Sequence, residues 1–196
     1  FDTIDHDWMV KFLEHRIKDK RFIRLIIRFL KAGILEDGSI RASSMGTPQG
    51  GIISPILANI YLHYVLDVWF ENGMKKELEG YASIVRYADD FVILVERETD
   101  CMRILESLRL RLAKFNLELS ETKTSVVKFG RRTDKNDENK HPGTFDFLGF
   151  THYCGRTREG KFKVCRRTST SRFRLGIGKV KVFLKEHKNR YTLQEL

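Results

Sequence analysis

Residues 84–95 read IVRYADDFVILV, in which two adjacent carboxylates, Asp89 and Asp90, interrupt a run that is otherwise almost wholly apolar. Few patterns restrict a fold more. Apolar, largely β-branched residues on both sides favour two strands, and the centre favours a tight turn between them. A carboxylate held in a low-dielectric site must be neutralised, protonated or paired, and two neighbours repel each other. A hard divalent cation resolves both problems. Mg²⁺ prefers oxygen ligands and keeps waters and substrate phosphates in its shell. The same residues also suit a plain solvent-facing hairpin, because Asp is a good turn former. Spacing alone leaves both readings open.

The rest of the chain supplies helices and further hairpins. Asp5 and Asp7 are candidate caps for a helix striped with Met9, Phe12, Leu13 and Ile17. A second helix carries Ile23, Ile26, Ile27 and Leu30 and ends at Gly33; Asp37-Gly38 then signals a hairpin. Ser54 as N-cap and Pro55 in the first turn start a long helix, apolar nearly all round and so expected to be buried. Its polar residues Asn59, His63 and Asp67 recur every four positions on one slowly drifting face, either a functional stripe or a hydrogen-bonded edge.

An amphipathic helix follows with Cys101, Ile104, Leu105, Leu108, Leu112 and Phe115. Strands are expected at 117–119, 124–129 and 144–150, the last two separated by a polar loop, and then a hairpin turning at Glu159-Gly160. From Thr170 the spacing predicts a basic amphipathic helix. Phe173, Ile177, Val180 and Leu184 form its seam, and Arg174, Lys181, Lys185 and Lys188 align on another face. Gly176 and Gly178 weaken that helix by about 1 kcal/mol each relative to Ala. Helices alternating irregularly with antiparallel hairpins give an α+β class, with an antiparallel sheet packed on helices.

Charge is distributed unevenly. Residues 1–150 hold 23 Lys+Arg and 23 Asp+Glu, whereas 151–196 hold 13 against 3, so the whole net charge of +10 lies in the last quarter. Aliphatic and aromatic residues interleave with those cations, which points to a polyanion partner rather than a solubilising tail. No apolar run approaches the ~20 residues that cross a bilayer, and no signal peptide opens the chain. Cys101, Cys154 and Cys165 are odd in number and lack metal spacing, as expected of reduced cysteines in a cytosolic protein. The start FDTIDH, without methionine, is expected of a fragment.

A second informative stretch is MGTPQGGIISPILANIYL, residues 45–62. Pro48, Gly50 and Gly51 make a stiff and then permissive loop at a helix entry, where a base or sugar can approach the backbone, and Gln49 offers an amide. A simple helix-entry loop would look similar.

This loop followed by RYADDF resembles the reverse transcriptases encoded by bacterial group II introns. FDTIDH, LELSETKTSVVKF at 117–129, FDFLGF at 145–150 and RRTSTSRFR at 166–174 extend the likeness over nearly the whole chain. The resemblance implies a polymerase palm over 1–150 and, over 151–196, a basic hairpin and the start of a helical thumb. It implies an RNA template, a DNA primer, dNTPs and two Mg²⁺ ions, with Mn²⁺ as a substitute. The primer 3′-hydroxyl attacks the α-phosphate of the dNTP; one ion lowers the hydroxyl's pKa and the other steadies the leaving pyrophosphate.

By position, Asp89 matches the principal metal ligand, with Asp90 beside it, and Lys123 the lysine that protonates pyrophosphate. Gln49 and Gly50 match the loop against the incoming nucleotide. Phe1 matches the aromatic at or next to the sugar-selecting gate. Leu148, Gly149 and Phe150 match the primer grip, and Arg172, Arg174, Lys181 and Lys185 a nucleic-acid contact. The family's motif A aspartate aligns upstream of residue 1, so this piece alone is expected not to polymerise; Asp2 and Asp5 are then capping or supporting groups, and Asp2 is a third ligand if the register shifts. Group II intron RNA and the bacterial cytoplasm are the implied partner and location. A non-catalytic intron-RNA-binding maturase, a retron or CRISPR-linked reverse transcriptase, and a nucleotide cyclase are the alternatives. The cyclase gives no reason for the TPQGG loop or the basic tail.

Overall fold

The computed structural model describes residues 4–31, 34–36, 39–41, 53–131 and 142–187. It divides into two compact units, Phe1–Thr124 and Ser125–Leu196.

In the first unit, α1 (His6–Arg16) starts at Asp5, whose carboxylate accepts from the backbone N–H groups of Asp7 and Trp8 at 2.9 and 3.0 Å. This is N-capping as the sequence suggests, by Asp5. α2 (Lys20–Lys31) buries Ile23, Ile26 and Leu30 along one stripe. Strands β1 (Ile34–Glu36) and β2 (Ser39–Arg41) pair antiparallel, Glu36 opposite Ser39.

The long central helix is a composite. α3 (Ser54–Leu62) runs into a π-helical turn, His63–Asp67, then α4 (Val68–Asn72) and a 3₁₀ turn, Met74–Glu77. Ser54 is the first helical residue, with Ile53 at the cap position, so the expected Ser54 cap is shifted by one. The spare carbonyls of the π turn are taken by Arg111, which donates to Val65 O at 3.0 Å and Tyr64 O at 3.2 Å. Strands β3 (Ala82–Tyr87) and β4 (Asp90–Val95) form the ribbon read from the sequence, and α5 (Glu98–Lys114) follows. Asp100, 1% exposed, accepts from the backbone N–H of Glu79 and Gly80, tying the entry of β3 to the first turn of α5.

Most of the core of this unit is one cluster of Met9, Leu13, Ile26, Leu30, Leu57, Tyr61, Val65, Leu66, Leu108, Leu112 and Phe115 with their neighbours. Ile84 and Ile93, a facing pair in β3 and β4, pack onto it, and also onto a second cluster around Phe70, Met74 and Ile104. Tyr61 is fully enclosed, and its hydroxyl donates to Phe115 O at 2.9 Å. Burial pushes its pKa up from 10.0 to about 12, opposed in part by a backbone hydrogen bond at Asp5 and helped slightly by the charge of that residue. The folded state therefore keeps a proton that the unfolded chain releases near pH 10. The stability this gives is present below pH 10 and lost as pH rises through about 12.

The second unit holds a three-stranded antiparallel sheet in the order β5 (Phe145–Phe147), β6 (Phe150–Arg156), β7 (Phe162–Thr168), then α6 (Thr170–His187). β6 and β7 turn at 157–161, where Gly160 takes φ 78°. No residue of α6 is buried.

Three expectations need correction. Residues 117–119 and 124–129 form no strands, although Leu117 and Leu119 still pack on the core. The segment 144–150 is not one strand: Leu148 and Gly149 turn the chain, and Phe150 opens β6. The compact units, which part at 124/125, are a separate matter from the expected palm and thumb division at 150/151. Among the described residues the strands form three separate antiparallel sheets rather than one, which keeps the α+β class. No described helix is long and apolar enough to cross a membrane.

Candidate functional site

Asp89 and Asp90 lie at the tip of the β3–β4 hairpin. Tyr87 and Asp90 are the last paired residues, leaving a two-residue turn, Ala88-Asp89. Ala88 has φ 53°. A positive φ at the first turn position alone is the sign pattern of a II′ turn, whose twist suits a hairpin, although an L-residue there costs about 1–2 kcal/mol.

The ribbon has two faces. Ala82, Ile84 and Arg86 with their partners Val95, Ile93 and Phe91 face the core, whereas Val85, Tyr87 and Leu94 lie exposed on the face that carries Asp90. Both carboxylates are exposed, and neither has a hydrogen-bond or ion-pair partner among the described residues. The sequence argument placed them in a low-dielectric site. That premise fails: the apolar residues on either side are buried by alternation, while the turn projects the acids into solvent.

What holds the turn is Arg86. Its Nε and Nη2 donate to the two carboxylate oxygens of Asp67 at 2.7 and 2.6 Å. Its Nη1 donates to Asn59 Oδ1 at 2.9 Å and to the carbonyl of Ala88 at 2.8 Å. Asn59 and Asp67 thus form a hydrogen-bonded edge, with His63 Nδ1 at 3.4 Å from Asp67. Sequence reading found those three residues but not the arginine they serve. The sole hint was an Arg facing inward from an apolar strand.

Nearby cavities are small. A crevice of about 30 Å³, lined by Pro55, Ala58, Asn59, Leu62 and Ala88, adjoins the turn and has room for a single water. A larger cleft of about 370 Å³ lies between α1 and α2 and includes neither Asp89 nor Asp90.

Other expected site residues are placed as follows. Lys123 is exposed on a turn whose N–H donates to Ser120 O, without an ion pair to either aspartate. Asp5 is the α1 cap. Phe1, Asp2, Gln49 and Gly50 lie outside the described residues, as do Gly33, Asp37, Gly38 and Lys188. Among the described residues no group of three or more His, Cys, Asp or Glu is arranged to hold a metal.

In the second unit the structure brings four expected residues together. Leu148 (φ 51°) and Gly149 (φ 80°) form the turn between β5 and Phe150, a pair of positive angles typical of a I′ turn. Arg172, at the start of α6, donates to Leu148 O at 3.2 Å, and Ser169 N–H donates to Gly149 O at 3.0 Å. A Cβ on Gly149 would collide with the Arg172 side chain. Arg174, Lys181 and Lys185 are exposed along α6, while Arg166 and Arg167 of β7 lie over the rings of Phe150 and Tyr153. The three cysteines form no disulfide; burial, then the charge of Glu98, pushes the Cys101 thiol up.

Comparison with known proteins identifies the family. The sequence profile of the family "Reverse transcriptase (RNA-dependent DNA polymerase)" matches residues 1–152. Group II intron-encoded protein LtrA of Lactococcus lactis subsp. cremoris is 34% identical, over 65% of this chain and 31% of its own. Protein YkfC of Escherichia coli (strain K12) is 35% identical, over 67% of this chain and 44% of its own. An uncharacterized 91 kDa protein in a cob intron of Schizosaccharomyces pombe is 49% identical, over 44% of this chain and 10% of its own. The chain therefore spans less than half the length of these relatives. With the matched profile covering both the aspartate hairpin and the 145–150 segment, the chain belongs to the reverse transcriptase (RNA-dependent DNA polymerase) family and is similar within it to group II intron-encoded proteins.

Proposed function

We propose that this chain supplies the palm, and the beginning of the thumb, of an RNA-directed DNA polymerase of the group II intron-encoded type. The observation that carries the reading is the exposed Asp89–Asp90 pair on a turn whose backbone is tied down from below by Arg86. A fixed turn presenting oxygen donors to open space suits Mg²⁺ or Mn²⁺, which commonly take one or two carboxylates from the protein and the rest of their ligands from water and substrate phosphates. When bound, two such ions would acidify the primer 3′-hydroxyl and stabilise the leaving pyrophosphate.

The chain's own residues bind and orient. Asp89 is the principal ligand and Asp90 its neighbour. Lys123 is the proton donor to pyrophosphate. Leu148, Gly149 and Phe150, with Arg172, grip the primer, and Arg174, Lys181 and Lys185 follow its phosphates. Gln49 and Gly50 meet the incoming dNTP, and Phe1 screens its sugar. The reading extends to group II intron RNA as a partner, to roles in intron mobility and splicing, and to the bacterial cytoplasm as the setting; similarity to a group II intron-encoded protein supports its intron part.

RNA-templated primer extension tests this. Within a polypeptide of the relatives' length, extension should need Mg²⁺ and fall by about 10²–10³-fold in Asp89→Asn and Asp90→Asn, while template–primer affinity holds. The 196-residue chain alone should extend nothing. Full activity in the Asn variants would refute the assignment. Intron-RNA binding without extension in the parent protein would favour a maturase without polymerase chemistry.

A further inference from the structure

Asp89 and Asp90 occupy the end of a two-stranded ribbon, an element that by itself is marginal in water. Its turn contains an L-residue at positive φ, a conformation that persists only where surrounding contacts over-determine it. Among the described residues, the hydrogen bond that reaches the turn from outside the strands' own pairing comes from a single guanidinium. Arg86 sits on the core-facing side of β3, 12% exposed, and bonds four acceptors at once. Two are the Asp67 oxygens in a bidentate fork, one is the Asn59 amide oxygen, and one is the carbonyl of Ala88 inside the turn. A lysine has one point of attachment and cannot span that set.

Asp67 reaches Arg86 because of the π turn. Eight residues of regular α-helix would leave Asn59 and Asp67 about 80° out of line, and a turn that takes up more residues winds that angle back. Arg111 holds the π turn in shape through the Tyr64 and Val65 carbonyls. An unbroken series of contacts therefore runs from α5 through the π turn, Asp67 and Arg86 to the backbone next to both carboxylates.

We infer that Arg86 is a positioning residue: held by Asp67 and Asn59, it sets the direction in which Asp89 and Asp90 project and thereby the affinity of the turn for a divalent cation. The inference rests on the metal-binding reading given under Proposed function.

Mn²⁺ is the probe. Its titration against the folded chain, followed by paramagnetic broadening of backbone amides, should centre on 88–91 in the parent. Arg86→Lys and Asp67→Asn should each weaken that affinity by about fivefold or more, the scale of one lost hydrogen bond. Amide exchange at 88–90 should accelerate about tenfold, with the protection of α1 and α5 unchanged. A role in stability alone would lower the melting temperature and leave Mn²⁺ affinity, measured well below it, where it was. Affinity and turn exchange within twofold of the parent in folded Arg86→Lys would overturn the inference. If the parent binds no Mn²⁺ at 88–91, the metal-binding reading fails, and turn exchange still decides whether Arg86 fixes the turn. Should Arg86→Lys not fold, Asp67→Asn, which keeps the shape and one acceptor, provides the same two readouts.

Discussion

At the 88–89 turn Arg86 donates to the carbonyl of the first turn residue, and at the 148–149 turn Arg172 does the same. In both, that residue is not glycine and has a positive φ, 53° at Ala88 and 51° at Leu148. The arginines differ in what else they hold. Arg86 is enclosed and fully committed, with a carboxylate and an amide on its remaining donors. Arg172 is exposed and, among the described residues, has no carboxylate partner. The paired arginine can only orient its turn. The unpaired one can orient its turn and still offer charge to a phosphate. The same contact thus suits a hairpin that presents anions and one that receives them.

The largest effect expected from breaking this contrast is on stability. Asp67→Ala leaves the Arg86 guanidinium buried and unpaired and should cost about 3–5 kcal/mol in urea unfolding. Arg172→Ala, in the same measurement, should stay within about 0.5 kcal/mol. Equal losses would erase the distinction. Next comes binding. Reversing Arg174, Lys181 and Lys185 to Glu should lower affinity for an RNA–DNA hybrid by about 10–100-fold at low salt and make the log–log salt slope shallower by about 3. An unchanged slope would remove α6 from the interface. Smallest are the turn residues themselves. Ala88→Gly should stabilise by up to about 1 kcal/mol by relieving a left-handed L-residue. Gly149→Ala should lose about 1 kcal/mol by thermal denaturation and also push the Arg172 side chain off Leu148 O, which a hybrid-binding assay would detect.

The ribbon, the helices and the basic end were legible because each is written in local periodicity. The apolar, largely β-branched runs on both sides of Asp89 and Asp90, and the stripes of α1, α2 and α5, needed no distant information. What misled was partnership. Residues 117–119 alternate and 124–129 are rich in β-branched residues, as strands are, yet a strand exists only where another backbone takes its hydrogen bonds, and neither pattern names a partner. Exposure of the two aspartates was misread for a similar reason, since only every second apolar neighbour turns to the core and the others share the exposed face of Asp90. The 144–150 strand failed at Leu148, a bulky residue that nothing local marks for a left-handed turn. Arg86 escaped notice because its acceptors lie 19 and 27 residues away. The drifting face of Asn59, His63 and Asp67 was visible, but not the change of helical pitch that brings it into line.

The His63–Asp67 segment amounts to one surplus residue in an otherwise ordinary helix. Deleting one position there should give a more regular hydrogen-bond ladder and still leave Asn59 and Asp67 nearly in line, since seven residues of α-helix bring them within about 20°. Such a shortened protein would be a straighter rod that keeps its hold on Arg86 but loses the spare carbonyls that seat Arg111. The wider pitch thus absorbs the insertion, and what the insertion adds is the socket it opens toward α5.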